Sequence, residues 1–228
     1  MYIKTLITLF LLLQTSLFAL TLEKERETFI SGQIYDTVFD TNNQRIYAGN
    51  YNGLNVLDDN LGDLFKLELL DPVHKIALDR QNSRLFLAND NSGLRILDIN
   101  NGDEVVLLAS LETGAQCKDV KYLNEENLVV VVDDVAGLKL IDVSDSNALS
   151  VLDHYPFLSS IKSIAIDEDK KSIYIALNSF DIMKISYKAR NFSMISHLGK
   201  IENVEEILYY EEALIAVTPN AITTHTIN

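Results

Sequence analysis

An all-β fold built from repeats is what the sequence predicts, and three observations predict it. Arg84 to Asp98 reads Arg-Leu-Phe-Leu-Ala-Asn-Asp-Asn-Ser-Gly-Leu-Arg-Ile-Leu-Asp, two short β runs around a turn that ends in Gly93. The same pattern returns, altered, at 45–58, 127–142, 172–187 and 213–225. Gly53 to Gly93 is 40 positions and Gly93 to Gly137 is 44, a period that suits one four-stranded propeller blade and is too long for a leucine-rich repeat. The expected architecture is a five-bladed β-propeller of four-stranded antiparallel blades.

Period-2 alternation and turn residues divide each unit into strands a, b, c and d. The first unit has strands at 34–39, 45–49, 54–57 and 64–69, with a turn at Asp40-Thr41-Asn42-Asn43. The second has 73–78, 85–88, 94–97 and 105–110; the third 117–122, 128–132, 138–141 and 150–154. The fourth has 161–166, 173–176, 183–186 and 193–198; the fifth has 204–209, 214–217 and a weaker run at 222–226, with no strand d. The blades therefore span about 34–69, 73–110, 117–154, 161–198 and 204–226. A strand-like segment at 20–29 precedes the first strand a, so it is expected to pair with the last blade, supply its missing strand and close the ring, removing an exposed sheet edge. Strand b is nearly all apolar, as Leu128-Val129-Val130-Val131-Val132 shows, which suits burial on both faces between blades. Gly53, Gly93 and Gly137 fit turns that need positive φ; Ile182 and Ala221 stand at that position in the last two units.

The first residues have the form of a secretory leader. Lys4 gives the positive start, 5–18 is apolar, and Ala19 follows as a small residue for cleavage. The run is short of the roughly 20 residues that a spanning helix needs. This predicts a signal peptide at 1–19, a propeller domain at 20–228 and no stable membrane span once the leader is removed. The protein is then periplasmic in a Gram-negative bacterium and secreted otherwise. With 19 Lys+Arg against 33 Asp+Glu, the chain has a net charge of −14. Such a balance opposes nucleic-acid binding, which depends on Lys and Arg displacing counterions, and favours cations or basic partners. Cys117 is the only cysteine, so no internal disulfide, redox pair or haem attachment is available.

Gly93-Leu94-Arg95-Ile96-Leu97-Asp98 and Gly137-Leu138-Lys139-Leu140-Ile141-Asp142-Val143-Ser144-Asp145 resemble the LVIVD repeat, and Leu85-Phe86-Leu87-Ala88-Asn89-Asp90 resembles the strand that accompanies it. More broadly the chain is similar to YVTN-type and WD40-like β-propellers, although Trp is absent. That resemblance implies an exported propeller serving as a binding or surface-associated module, and it brings no catalytic residue with it.

In a propeller the start of strand a and the b–c turns crowd one mouth of the channel, so aligned columns are the place to look for a site. The first column is Tyr35, His74, Lys118, Lys162 and Glu205; the second is Asp36, Lys75, Asp119, Ser163 and Glu206. Their chemistry varies while the next column, Thr37, Ile76, Val120, Ile164 and Ile207, is nearly uniform, which makes the polar residues candidate ligand or partner contacts. The competing reading is a ring of solvated charges paired across blades. Asn50, Asn89, Asp90, Asp133, Asp134 and Asn178 belong to the same face. Asp90, Asp133 and Asp134 could contribute to a Ca²⁺ site if enough oxygens converge, although Asn and Asp are also ordinary turn formers. His74 has no second soft ligand beside it, so zinc and copper are not expected. Cys117 sits in an apolar column with Ile34, Val73, Ile161 and Val204, as a small buried hydrophobe does. Glu205-Glu206 and Asp133-Asp134 are adjacent on strands and point to opposite faces, so neither is a catalytic dyad.

These readings favour an exported, non-catalytic scaffold or accessory factor that binds another exported or envelope protein and needs no cofactor. Two alternatives stay open: a metal-assisted hydrolase or lactonase-like enzyme with His74 as base, and a sensor of a small molecule or cation, Ca²⁺ among them.

Overall fold

The computed structural model describes residues 26–100, 104–134 and 136–227. The leader and the first part of the expected closing segment, 20–25, lie outside them. Five antiparallel sheets are arranged in a ring, with almost no helix. The first is β1 (Ile34–Asp40), β2 (Arg45–Asn50), β3 (Gly53–Asp58) and β4 (Asp63–Glu68). The second is β5 (Lys75–Asp79), β6 (Arg84–Ala88), β7 (Leu94–Asp98) and β8 (Val106–Leu111); the third is β9 (Cys117–Leu123), β10 (Leu128–Asp133), β11 (Gly137–Asp142) and β12 (Ser150–Tyr155). The fourth is β13 (Ile161–Asp167), β14 (Ser172–Leu177), β15 (Asp181–Ser186) and β16 (Ser193–Lys200), with a 3₁₀ turn at Lys188–Arg190 before its last strand. The fifth is β17 (Glu206–Tyr210), β18 (Ala213–Thr218) and β19 (Ala221–Thr226), three strands among the described residues.

Local chemistry sets the turns. Asp40 ends strand a of the first blade and accepts from Asn42 N at 2.9 Å and Asn43 Nδ2 at 2.8 Å. Asp79 accepts from Gln81 N and Asn82 N at 3.1 and 3.0 Å, and Asp167 from Lys170 N at 3.0 Å. A carboxylate thus replaces the backbone acceptor in the a–b turn. The residue before strand b then turns left-handed in all five blades, at Gln44, Ser83, Asn127 and Lys171 with φ between 51° and 54° and at Glu212 with φ of 68°.

The glycines answer a second demand besides positive φ. A Cβ on Gly53, Gly93 or Gly137 would lie 2.2–2.3 Å from the carbonyl oxygen of Leu67, Leu111 or Tyr155 on strand d, so the side chain is excluded by the neighbouring strand as well as by the turn. In the fourth blade the register places Asp181 rather than Ile182 at this position, because Ala176 faces Ile182 as Gly49 faces Leu54.

The core is divided between blades. Tyr47, Leu54 and Val56 of the first blade pack on Val73, Leu85, Leu87 and Leu97 of the second. Phe86 and Ile96 of the second meet Cys117, Val129 and Val131 of the third, and Val130, Leu138 and Leu140 of the third meet Ile164, Ile173 and Ile175 of the fourth. Tyr174 and Ala176 of the fourth meet Val204, Ile207 and Leu214 of the fifth. Strand b is buried along both faces, as β10 shows at every residue, because alternate side chains feed two different cores. Burying each large aliphatic side chain contributes about 1.5–3 kcal/mol.

Among the described residues no such core joins the fifth blade to the first. Residues 26–29 form no strand there either, which corrects the described part of the expected closing strand. Arg26 donates to Asn60, Tyr51 N donates to Gln33 O at 3.0 Å and Asn52 Nδ2 to Ser31 O at 3.1 Å, so this stretch is held against the first blade.

Candidate functional site

One end of the ring collects, from each blade, the start of strand a, the b–c turn and the loop arriving from strand d of the preceding blade. At the second and third blades this mouth holds a compact cluster. His74 Nε2 is 2.8 Å from Asp90 Oδ2, Lys118 Nζ is 3.0 Å from both, and the Tyr35 ring lies 5.0 Å from the imidazole. Asp90 is fixed by its turn, with φ of 43° and its carbonyl taken by Cys117 N at 2.9 Å. Burial alone would raise its pKa, but hydrogen bonds from His74 and Lys118 outweigh this and hold the carboxyl below its ordinary range. One ring nitrogen cannot donate to Asp90 and accept from Lys118 at once. The cluster is therefore one carboxylate shared by His74 and Lys118.

A second network lines the channel. Lys75 Nζ stands 3.7 Å from Asp36 Oδ1 and 3.6 Å from Glu206 Oε1, so a side chain of the second blade touches the first and the fifth. Burial would lower the Lys75 pKa, but Asp36, Asp119 and Glu206 outweigh it and raise the value. Asp36 Oδ2 also accepts from Ile76 N at 2.9 Å, and Ser163 Oγ accepts from Ile207 N at 3.2 Å, so polar residues of this column tie strand a of one blade to strand a of the next. Asp119 accepts from Val120 N at 2.7 Å and faces Lys121 at 3.7 Å, while burial pushes its pKa up.

Lys162 and Glu205 of the first column stand apart from these networks. They border a cleft of about 240 Å³ between the last two blades, lined by Leu177, Phe180, Val204 and Pro219. Neither makes an ion pair among the described residues.

The oxygens considered for Ca²⁺ do not converge. Asp90 serves His74 and Lys118, and the fully buried Asp133 carboxylate takes Lys139 Nζ at 2.6 Å. Asp134 is placed by its backbone N–H, which donates to Gln116 O at 2.9 Å. Among the described residues no three His, Cys, Asp or Glu side chains are grouped to hold a metal ion. Cys117 is buried, and burial with the Asp133 and Asp119 charges pushes its thiol pKa up, away from the reactive thiolate.

The column reading overlooked the apolar rim. Tyr51 and Phe180 in b–c turns are 60% and 42% exposed, and Leu70 and Leu158 in d–a loops are almost wholly exposed. A signal was present: large apolar residues set among Asn, Asp, Pro, Ser and Gly in turns have no core to enter. At the opposite end, among the described residues, no large apolar side chain in an a–b or c–d turn is exposed.

No protein-family model matches the chain, and no curated protein matches it in sequence. Solved structures do match in shape. The β-propeller domain of Myceliophteria thermophila Cps50 (Swd1) superimposes with a TM-score of 0.67 at 14% identity, covering 89% of this chain and 68% of its own. A chain of the nidogen/laminin complex superimposes with a TM-score of 0.66 at 11% identity, covering 85% and 75%. At these identities the likeness concerns the fold, and it agrees with the ring of blades: the chain is a five-bladed β-propeller.

Proposed function

We propose that this propeller is an exported, non-catalytic scaffold that binds another protein of the envelope or the secreted fraction through the mouth described above. The observation that carries the reading is the difference between the two ends of the ring. One presents Tyr51, Leu70, Leu158 and Phe180 around a polar centre, the arrangement of apolar anchors and polar groups that protein interfaces use. Support for export comes from the form of residues 1–19, and the strand motifs around Gly93 and Gly137 keep the LVIVD resemblance as the family reading. One of the similar structures is itself of a complex, nidogen with laminin. Among the described residues no helix is long and apolar enough to cross a membrane.

The test is capture of partners by the immobilised chain and by two variants. Tyr51→Ser with Phe180→Ser alters the mouth, and Asp169→Lys alters the opposite end. Proteins retained by the parent chain and by Asp169→Lys, but lost from the mouth variant, are expected. Retention unaffected by the mouth variant would overturn the assignment. A melting midpoint that climbs with the concentration of Ca²⁺ or another divalent ion would put the sensor or metal-enzyme reading ahead.

A further inference from the structure

We propose that residues 20–25 lie along the free edge of β19, with Leu22 filling a cavity between the fourth and fifth blades. The proposal does not depend on what the mouth binds. It goes past the pairing that the sequence suggests by naming the groove, the side chain that enters it and the register.

The first observation is the groove. β19 is exposed at every residue, and among the described residues no strand pairs with its outer edge. Beside it lies a cavity of about 360 Å³, lined by Ile182, Gly199 and Ile201 of the fourth blade and by Leu214, His225 and Ile227 of the fifth. The registers show what is missing there. Leu214, His225 and Ile227 hold the places of Leu85, Leu97 and Ile99, and Gly199 holds that of Leu67, Leu111 and Tyr155. Those last three side chains pack on the cores of the first three interfaces, whereas a Cβ on Gly199 would meet nothing within 4 Å. A second filler is missing too. Val105, Leu149 and Phe192, each just ahead of strand d, are half-buried and pack on the core shared with the preceding blade. The fifth blade has no such residue among those described.

The second observation is a spacing. Val105, Leu149 and Phe192 stand 12 positions before Cys117, Ile161 and Val204, the buried residues at the start of the following blade. Leu61 stands equally far before Val73, and Leu22 before Ile34. Leu22 is thus the residue of this column for the blade that precedes the first, which around the ring is the fifth.

The third observation is the course of the chain that leads to it. Although 26–29 form no strand, Arg26 bonds Asn60 in the c–d turn of the first blade, as Asp153 of β12 accepts from Phe192 N in the c–d turn of the fourth. Arg26 and Asp153 each lie four positions after Leu22 and Leu149. Gln33 O accepts from Tyr51 N as Gln116 O accepts from Asp134 N, both at b–c turns. The stretch 26–33 therefore keeps the place of a strand d and its loop, and 20–25 is the next length of chain along β19. Pairing there removes an open sheet edge, and a leucine in the cavity buries apolar surface on both sides. Alternation sets Leu22 on the face of Ile227 and His225, toward the fourth blade, and leaves Ile222 on the other face.

The experiment uses the full chain, expressed with residues 1–19 in place, and the N-terminus of each product is read by mass. Val106 pairs with Asp98, Ser150 with Asp142 and Ser193 with Ser186, a register that sets Glu23 opposite Thr226. Glu23→Cys with Thr226→Cys is expected to form a disulfide within one chain under mild oxidation. Its yield should exceed at least about tenfold that of Glu23→Cys with Thr223→Cys, where the two sites are about 10 Å apart. Mixing isotope-labelled and unlabelled chains separates links within a chain from links between copies. Leu22→Ala should lower the melting midpoint by about 5 °C or more, and Glu23→Gln should leave it within about 1 °C.

Equal yields from the two cysteine pairs, or a Leu22→Ala midpoint within about 1 °C of the parent chain, would overturn the proposal. A disulfide between two copies would give the groove to a neighbouring molecule and would overturn it as well.

Discussion

Val73 and Ile34 hold the same place in adjoining blades, but Val73 is fully buried and Ile34 is 47% exposed. Cys117, Ile161 and Val204, in the same column, are buried like Val73, each against the blade before it. Across the other side of this gap, Leu208, Tyr210 and Ile222 of the fifth blade are also exposed. Ile207, Tyr209, Leu214 and Ala216 pack toward the fourth blade, so alternation turns Leu208 and Tyr210 the other way. Similar sequence patterns therefore give four sealed interfaces and one seam that, among the described residues, has no apolar core. A repeated unit supplies two sticky faces, but burial requires a neighbour on each side.

The largest contrast should come from buried charge. At the interface of the second and third blades Arg84 donates to Asp79 Oδ2 at 2.8 and 3.0 Å and to Val143 O at 2.6 Å, and lies over the Phe86 and Tyr122 rings. Arg84→Ala leaves the wholly buried Asp79 carboxylate unpaired and should cost about 3–5 kcal/mol in urea unfolding. A loss under about 1 kcal/mol would show that Asp79 takes up a proton or water at little cost. Next in size, Leu87→Ala in the sealed first interface should cost about 2–5 kcal/mol. Ile222→Ala at the seam should stay within about 0.5 kcal/mol. A cost at Ile222 equal to that at Leu87 would mean that the seam is covered by something outside the described residues.

Acid should act on the sealed side and the mouth together. Asp79 and Asp90 have pKa values lowered in the fold: burial raises each, and hydrogen bonds from Asn82 and Arg84, or from His74 and Lys118, outweigh it. A carboxyl lowered in the folded state adds stability above its unfolded value of about 3.9, and that stability is lost as pH falls through the folded value. Asp90→Asn should therefore flatten the acid limb of a stability–pH curve, and an unchanged limb would remove Asp90 from this account.

The smallest effect is expected at the clasp. Lys75, partly exposed, is the described side chain that contacts both blades bordering the seam, and Lys75→Met should cost about 1 kcal/mol or less. Its signature is local: amides of β17 should exchange faster relative to those of β10. Uniform change across both strands would mean that the seam is as firmly closed as its neighbours.

Much of the fold was legible because repetition is a property of sequence. The strands at 45–49, 94–97, 117–122 and 161–166 are found within a residue or so of their expected limits, as β2, β7, β9 and β13, since period-2 alternation and Asn, Asp and Gly turns are local signals. The candidate site was legible only as columns. That His74 and Lys118 share Asp90, or that Lys75 reaches Asp36 and Glu206, depends on which blades the ring sets side by side. Residues as far apart as Lys75 and Glu206 carry no local mark of their meeting.

By itself, the sequence determined the number of repeats, the antiparallel strands within each and the acidic balance of the chain, because backbone geometry and composition are read residue by residue. Tertiary structure alone decided which carboxylates are matched by lysines, as Asp90 is by Lys118, that strand d excludes any Cβ at Gly93, and that the last interface differs from the other four. Those outcomes depend on distances between blades, and a linear pattern does not contain distances.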